Sequence, residues 1–193
     1  MKKLSTLLIL LLTVMLTAKA QTQRGNFLIG AQLANIGGVF QSGNTTFSAG
    51  ITPMVGFFIK DNVAVGPRVN FEYTHTSGED YFLWGVGVFG RKYFNDPSIE
   101  FSKHSSWFFE ANAGIQGVNA AGSNTNGLGL GFGPGLAYFL TPNIGLEGLL
   151  KYDLTLGFGS STTTNQVSLN LGFQIYLHKD KAKNIIEQEK SGQ

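Results

Sequence analysis

The stretch Gly127-Leu128-Gly129-Leu130-Gly131-Phe132-Gly133-Pro134-Gly135-Leu136-Ala137-Tyr138-Phe139-Leu140 decides the fold class. Leu128, Leu130, Phe132, Leu136, Tyr138 and Leu140 share one face of an extended chain, and Gly127, Gly129, Gly131, Gly133 and Gly135 share the other. A period of two marks a strand whose faces meet different surroundings. In a helix the same glycines would spread around the whole circumference, each costing about 1 kcal/mol relative to alanine. The stretch is also far longer than the roughly 5–6 residues of an ordinary soluble strand.

The same alternation extends in both directions and gives eight segments, near 26–35, 45–59, 63–74, 80–94, 107–118, 127–140, 144–157 and 166–177. In the second, Phe47, Ile51, Val55, Phe57 and Ile59 oppose Ser48, Gly50, Thr52 and Gly56. In the eighth, Val167, Leu169, Leu171, Phe173, Ile175 and Leu177 oppose Gln166, Ser168, Asn170, Gly172 and Gln174. Lys60-Asp61-Asn62 and Thr141-Pro142-Asn143 are tight turns, rich in the residues that turns favour. The connections after the first, third, fifth and seventh segments are rich in Gly, Ser, Thr and Asn and read as longer loops. The polar connection Asn95–Ser106 is long for the short-turn rim. Pro53, Pro67 and Pro134 fall inside segments, where each removes a ladder donor, so bulges or local breaks are expected there.

Composition narrows the class. The chain has 193 residues, 26 glycines, no cysteine and 13% charged residues, about half the charge of an ordinary globular protein. Without cysteine there is no disulfide, Cys-ligated metal or lipoprotein anchor. Lys2-Lys3, the apolar run Leu7–Leu16 and Ala18-Lys19-Ala20 form the three parts of a secretory signal peptide over 1–20. Its removal takes Lys2, Lys3 and Lys19 away and turns a formal charge of +2 into −1, so the basicity belongs to the export signal. Residues 178–193 change character and read as a polar C-terminal tail.

An exported chain without an apolar helix can span a bilayer only as a closed barrel. The segment lengths match the about 9–11 residues of a tilted membrane strand. Aromatic residues gather by height. Phe27, Phe57-Phe58, Tyr93-Phe94, Trp107-Phe108, Tyr138-Phe139 and Tyr176 lie near the short-turn rim. Phe40, Phe47, Tyr73, Tyr81, Trp84, Tyr152 and Phe158 lie toward the other. These are expected to form two lipid-facing girdles. The polar faces carry Arg68, Glu72, Arg91, Glu110, Glu147, Lys151 and Asp153. Charge is costly in hydrocarbon, so these seven are expected inside the barrel, paired with each other and with Asn70, Asn112 and Gln116. Eight strands leave a lumen that side chains can fill. The five glycines of segment six would make room for Glu110, Glu147 and Lys151.

The last segment, Asn170-Leu171-Gly172-Phe173-Gln174-Ile175-Tyr176-Leu177, resembles the C-terminal recognition signal of outer-membrane proteins at Asn170, Gly172, Ile175 and Leu177. Over 21–177 the chain resembles the small OmpA/OmpX-like outer-membrane β-barrel proteins common in Bacteroidota, and Thr141–Glu147 looks like one of their turn-and-strand starts. The tail after Leu177 departs from that pattern, in which the signal ends the chain. The resemblance implies an all-β, eight-stranded antiparallel up-and-down transmembrane β-barrel in the bacterial outer membrane. It implies assembly by the barrel-assembly machinery and contact with outer-membrane lipids.

The chemistry expected is non-enzymatic, a structural or surface-interaction role for a monomer without a cofactor or metal. His75, His104 and His178 are far apart and show no ligand spacing. The Gly-rich run continues as a strand rather than opening a helix, so it is no phosphate loop. The basic residues form no stripe for nucleic acid. Two alternatives remain. A lipid A deacylase-like barrel enzyme would use His75, Ser77 and Glu79, an H-x-S arrangement at a loop tip. A soluble lipocalin-like binder would turn the apolar faces inward and the charges to water.

Overall fold

The computed structural model describes residues 21–41, 44–76, 79–94, 104–120, 123–158 and 163–179. Residues 1–20, expected to be a signal peptide, and residues 180–193 of the tail lie outside the described residues. Eight strands follow one another: β1 (Phe27–Gln41), β2 (Asn44–Lys60), β3 (Val63–Thr76), β4 (Glu79–Phe94), β5 (Ser105–Ala120), β6 (Ser123–Thr141), β7 (Ile144–Gly157) and β8 (Thr163–Leu177). Each pairs antiparallel with its sequence neighbours, and β1 pairs with β8, so the sheet closes into a barrel.

Both ends of the described chain share a rim with the 61–62 and 142–143 turns and the 95–104 connection. Asn62 takes a left-handed conformation (φ 63°) that lets Lys60–Val63 reverse tightly, a geometry asparagine tolerates better than most residues. The opposite rim carries the connections after β1, β3, β5 and β7.

Three expectations need correction. First, the Gly/Ser/Thr/Asn stretches expected to be long loops are largely strand. β1 continues to Gln41 and β6 starts at Ser123, so only 42–43 and 121–122 separate their hairpins. The ladder is made by the backbone and needs no apolar alternation, so the sequence pattern falls silent before the strands end. The longest gap between strands, 95–104, is on the rim of tight turns.

Second, of the bulges or local breaks expected at the prolines, only local breaks occur. Pro53 stays in register with Ala31, Pro67 with Val88 and Pro134 with Phe109. Pairing lapses on the other side of each, between β2 and β3 or between β6 and β7, and resumes in the same register. A proline lacks its donor toward one neighbour only, so one ladder is enough to hold the strand. The register shifts lie elsewhere, between Ala34 and Gly37, Phe58 and Lys60, and Phe139 and Thr141.

Third, the aromatic doublets at the turn rim do not all face lipid. Phe57, Phe94, Trp107 and Tyr138 point outward, whereas Phe58, Tyr93, Phe108 and Tyr176 are buried inside.

Polarity is the reverse of a soluble protein's. Ile51, Val55, Val86, Val88, Leu150 and Leu169 are exposed, while Arg91 and Glu110 are completely enclosed. An apolar exterior around a charged interior is unstable in water and stable in a bilayer. The soluble lipocalin-like reading, which needs the opposite polarity, is thereby excluded. No helix among the described residues is long and apolar enough to cross a membrane; the crossing segments are the strands.

Candidate functional site: a plugged lumen

The lumen is layered from the turn rim upward. At the bottom, Leu28, Phe58, Ala64, Tyr93, Phe108, Ala137 and Tyr176 form a dry plug. Its rings meet at centroid distances of 5.6 Å (Tyr93–Phe108), 5.8 Å (Phe58–Tyr93) and 6.4 Å (Tyr93–Tyr176). Phe108 lies over Gly135, its partner across β5–β6, where no Cβ could stand. Beneath the plug, residues 21–26 tuck under the rim. The Gly25 amide donates to the Phe58 carbonyl (2.8 Å), the Asn62 amide to the Thr22 carbonyl (2.7 Å), and the Arg24 amide to Asp61 Oδ1 (2.8 Å). The segment before β1 had carried no expectation, because it lacks alternation.

On the plug sits Arg91. Its Nε donates to Glu110 Oε2 at 2.6 Å, and its Nη1 reaches both oxygens of Glu147 at 2.9 and 2.8 Å. The guanidinium also lies 4.6 Å from the Phe108 ring centroid, within cation–π range. Tyr176 Oη donates to Glu147 Oε1 at 2.8 Å, and the Tyr93 and Tyr176 hydroxyls are 3.2 Å apart. Met54 Sδ accepts from Arg91 Nη2 (3.5 Å) and Gln174 Nε2 (3.7 Å). One arginine between two carboxylates leaves a net negative charge. Arg68 balances it, reaching Glu110 Oε1 at 3.4 Å.

Above this layer Lys151 and Asp153 pair at 2.6 Å. Gly131 lies where Asn112, Lys151 and Asp153 converge. Higher still, Gln116 Nε2 donates to Thr155 Oγ1. A cavity of about 180 Å³ occupies this upper half, lined by Arg68, Asn70, Glu72, Asn112, Lys151 and Asp153 among others. Several buried polar atoms around the lumen have no hydrogen-bond partner among the described residues: both side-chain atoms of Gln32, Gln174 Oε1, Asn112 Nδ2 and Asn170 Oδ1.

The seven charged residues anticipated in the lumen therefore fall into levels. Arg68, Arg91, Glu110 and Glu147 form one connected group, Lys151 and Asp153 a second, and Glu72 lines the cavity above them. The glycines of β6 do two different jobs. Gly129, Gly131 and Gly135 leave room for Gln116, for Asn112 with Asp153 and Lys151, and for Phe108. Gly127 and Gly133 instead lie against the Leu156 and Leu150 carbonyls, so they admit the β7 backbone. Tyr93, Tyr176 and Met54 were missed as network members. Tyr93-Phe94 and Trp107-Phe108 contained the signal, since adjacent strand residues must face opposite ways.

Asn170, Gly172, Ile175 and Leu177 lie on β8, the first two turned inward and buried. Of the alternative enzyme constellation, His75 Nδ1 lies 2.7 Å from Asp80 Oδ1, which also accepts from Tyr73 Oη at 2.8 Å. Ser77 and the Glu79 side chain lie outside the described residues.

Similarity to solved structures follows this geometry. Neisserial surface protein A shares 20% identity and superposes with a TM-score of 0.56, over 80% of this chain and 99% of that one. The fold is that of a small eight-stranded outer-membrane β-barrel. The N-terminal barrel domain of Pseudomonas aeruginosa OprF follows at 14% identity and a TM-score of 0.49, over 80% and 98%. Ail, the attachment invasion locus protein of Yersinia pestis, follows at 12% and 0.46, over 80% and 100%. No protein-family model matches the chain, and no curated protein is similar to it in sequence.

Proposed function

We propose that this chain is a non-enzymatic barrel of the bacterial outer membrane, with a structural or surface-interaction role and a lumen that does not conduct. The observation that carries this is the sealed lower lumen. Phe58, Tyr93, Phe108 and Tyr176 leave at most 2% of their surface exposed, and Arg91 closes the layer above them by bridging Glu110 and Glu147. A path for ions would require breaking two buried ion pairs at once, each costly to separate. Surface interaction then falls to the strand ends and connections at the rim opposite the plug, where variable contacts can form without disturbing the membrane band.

In this reading the surrounding lipids are the constant partner of the apolar exterior. The assembly machinery reads Asn170, Gly172, Ile175 and Leu177, and the barrel works as a monomer. The test is electrical. Purified full-length protein in a planar lipid bilayer should give no discrete current steps, and reproducible single-channel openings would overturn the sealed-lumen reading. The enzyme alternative is tested separately by Ser77→Ala, which should leave lipid A acylation unchanged; a change would favour a deacylase-like role.

A further inference from the structure

The barrel is closed unevenly. β1 and β8 pair only from Phe27↔Leu177 to Leu33↔Leu171. Beyond that point both strands continue, but each pairs only with its other neighbour: β1 with β2 as far as Gln41↔Asn44, and β8 with β7 as far as Leu156↔Thr163. Residues 34–41 and 163–170 thus present two unpaired strand edges on either side of a split. Exposure on β8 agrees. Val167 and Leu169 are 68% and 66% exposed, against 37–61% for every other exposed large apolar residue. Thr164 and Gln166, which alternate onto the lumen face, are exposed as well.

The split reaches membrane depth. The outward apolar residues of β8 run from Leu177 to Val167, about the length that crosses the hydrocarbon, so the unpaired stretch begins inside that band. An open strand edge is not tolerated against lipid unless it borders a water-filled cavity. A polar-lined cavity lies behind it: Ala34, Gln166, Ser168 and Asn170 line the cavity of about 180 Å³ from the seam side.

Across the cavity Arg68 and Asn112 offer donors to an anion. Arg68 has five donors and, among the described residues, one ion pair, at 3.4 Å, to a carboxylate that Arg91 already holds at 2.6 Å. Asn112 Nδ2 is a buried donor without a partner among the described residues. Lys151 is matched by Asp153, and Glu72 lines the same cavity four residues along β3 toward the loop rim. The volume is below the roughly 300 Å³ of a pocket that encloses a whole drug-sized ligand, so it suits a head group whose remainder stays outside.

We propose that the β1–β8 split is a side portal for a single-chain amphiphile of the fatty-acid class, its carboxylate beside Arg68 and Asn112 and its chain against Val167 and Leu169. The unpaired backbone then borders water and ligand rather than bare lipid.

Two measurements test this on the full-length protein in lipid nanodiscs. In amide hydrogen exchange on the unaltered protein, 163–170 should exchange much faster than 171–177. Equal protection would mean a closed seam and overturn the proposal. A palmitate analogue with a photoreactive diazirine on its chain should label 164–171 and the neighbouring end of β1, in competition with unlabelled palmitate. Labelling should fall roughly tenfold in Arg68→Gln, the worth of a charge-assisted hydrogen bond, and return in Arg68→Lys, with heat-dependent gel mobility confirming that each variant is folded. Labels spread evenly around the barrel, equal labelling by the matching alcohol, or no change in Arg68→Gln would overturn it. So would crosslinks between two copies of the chain at 163–170, which would assign the open edge to self-pairing.

Discussion

Arg91 holds the interior together through two buried ion pairs, to Glu110 and Glu147. Removing one partner from a buried ion pair costs about 3–5 kcal/mol, since the remaining charges stay buried without compensation. Arg91→Ala leaves Glu147 without a cation and Glu110 with only Arg68, at 3.4 Å. It is therefore expected to lower the stability of the lipid-reconstituted protein by about that amount, read from its urea-unfolding midpoint. The glycines of β6 make a sharper pair of predictions. A Cβ at Gly133 would strike the Leu150 carbonyl, which is backbone, whereas one at Gly131 would meet the ends of the Asn112, Asp153 and Lys151 side chains. Gly133→Ala should cost about 1–3 kcal/mol of unfolding free energy, as overpacking does, and Gly131→Ala clearly less. Equal costs would contradict the two roles assigned to these glycines.

Strands and turns were legible wherever lipid imposes alternation and illegible where it stops. β7, running Ile144–Gly157, coincides with its sequence-predicted limits, because Leu146, Leu150, Leu154 and Leu156 alternate up to its end. The apolar period of β1 stops at 35 because Gly37, Gly38 and Gln41 do not continue it, though they remain in the β1–β2 ladder. The aromatic doublets misled for a related reason. Their height along the strand was read, but not the face, and the inward member of each built the plug. Among the charged lumen residues, alternation identified the face, but no sequence pattern gave the order in which Arg91, Arg68 and Lys151 would meet their partners. Those contacts join strands far apart in sequence, as in Arg91–Glu147. At the β2–β3 turn, Asn62 supplies both its left-handed backbone and a side-chain acceptor for Thr22 Oγ1 at 2.6 Å. Asn62→Val should destabilise the folded barrel by about 1–2 kcal/mol, and Asn62→Gly by less, measured by the same unfolding titration.

The whole molecule is defined by its inverted polarity, and that inversion sets how it answers to charge. Val88 is 61% exposed near the middle of β4. On a soluble protein, Val88→Arg would be nearly neutral, within about 0.5 kcal/mol. Facing the bilayer midplane it should cost about 2–4 kcal/mol of folding free energy in liposomes. The central claim, a barrel that lives in a membrane with its charges sealed inside, meets its most direct test in fractionation of cells making the full-length protein. The account predicts that the protein stays in the outer-membrane pellet after a urea wash and that its unheated form migrates differently from the heated one. Recovery of folded protein in the soluble periplasmic fraction would contradict it.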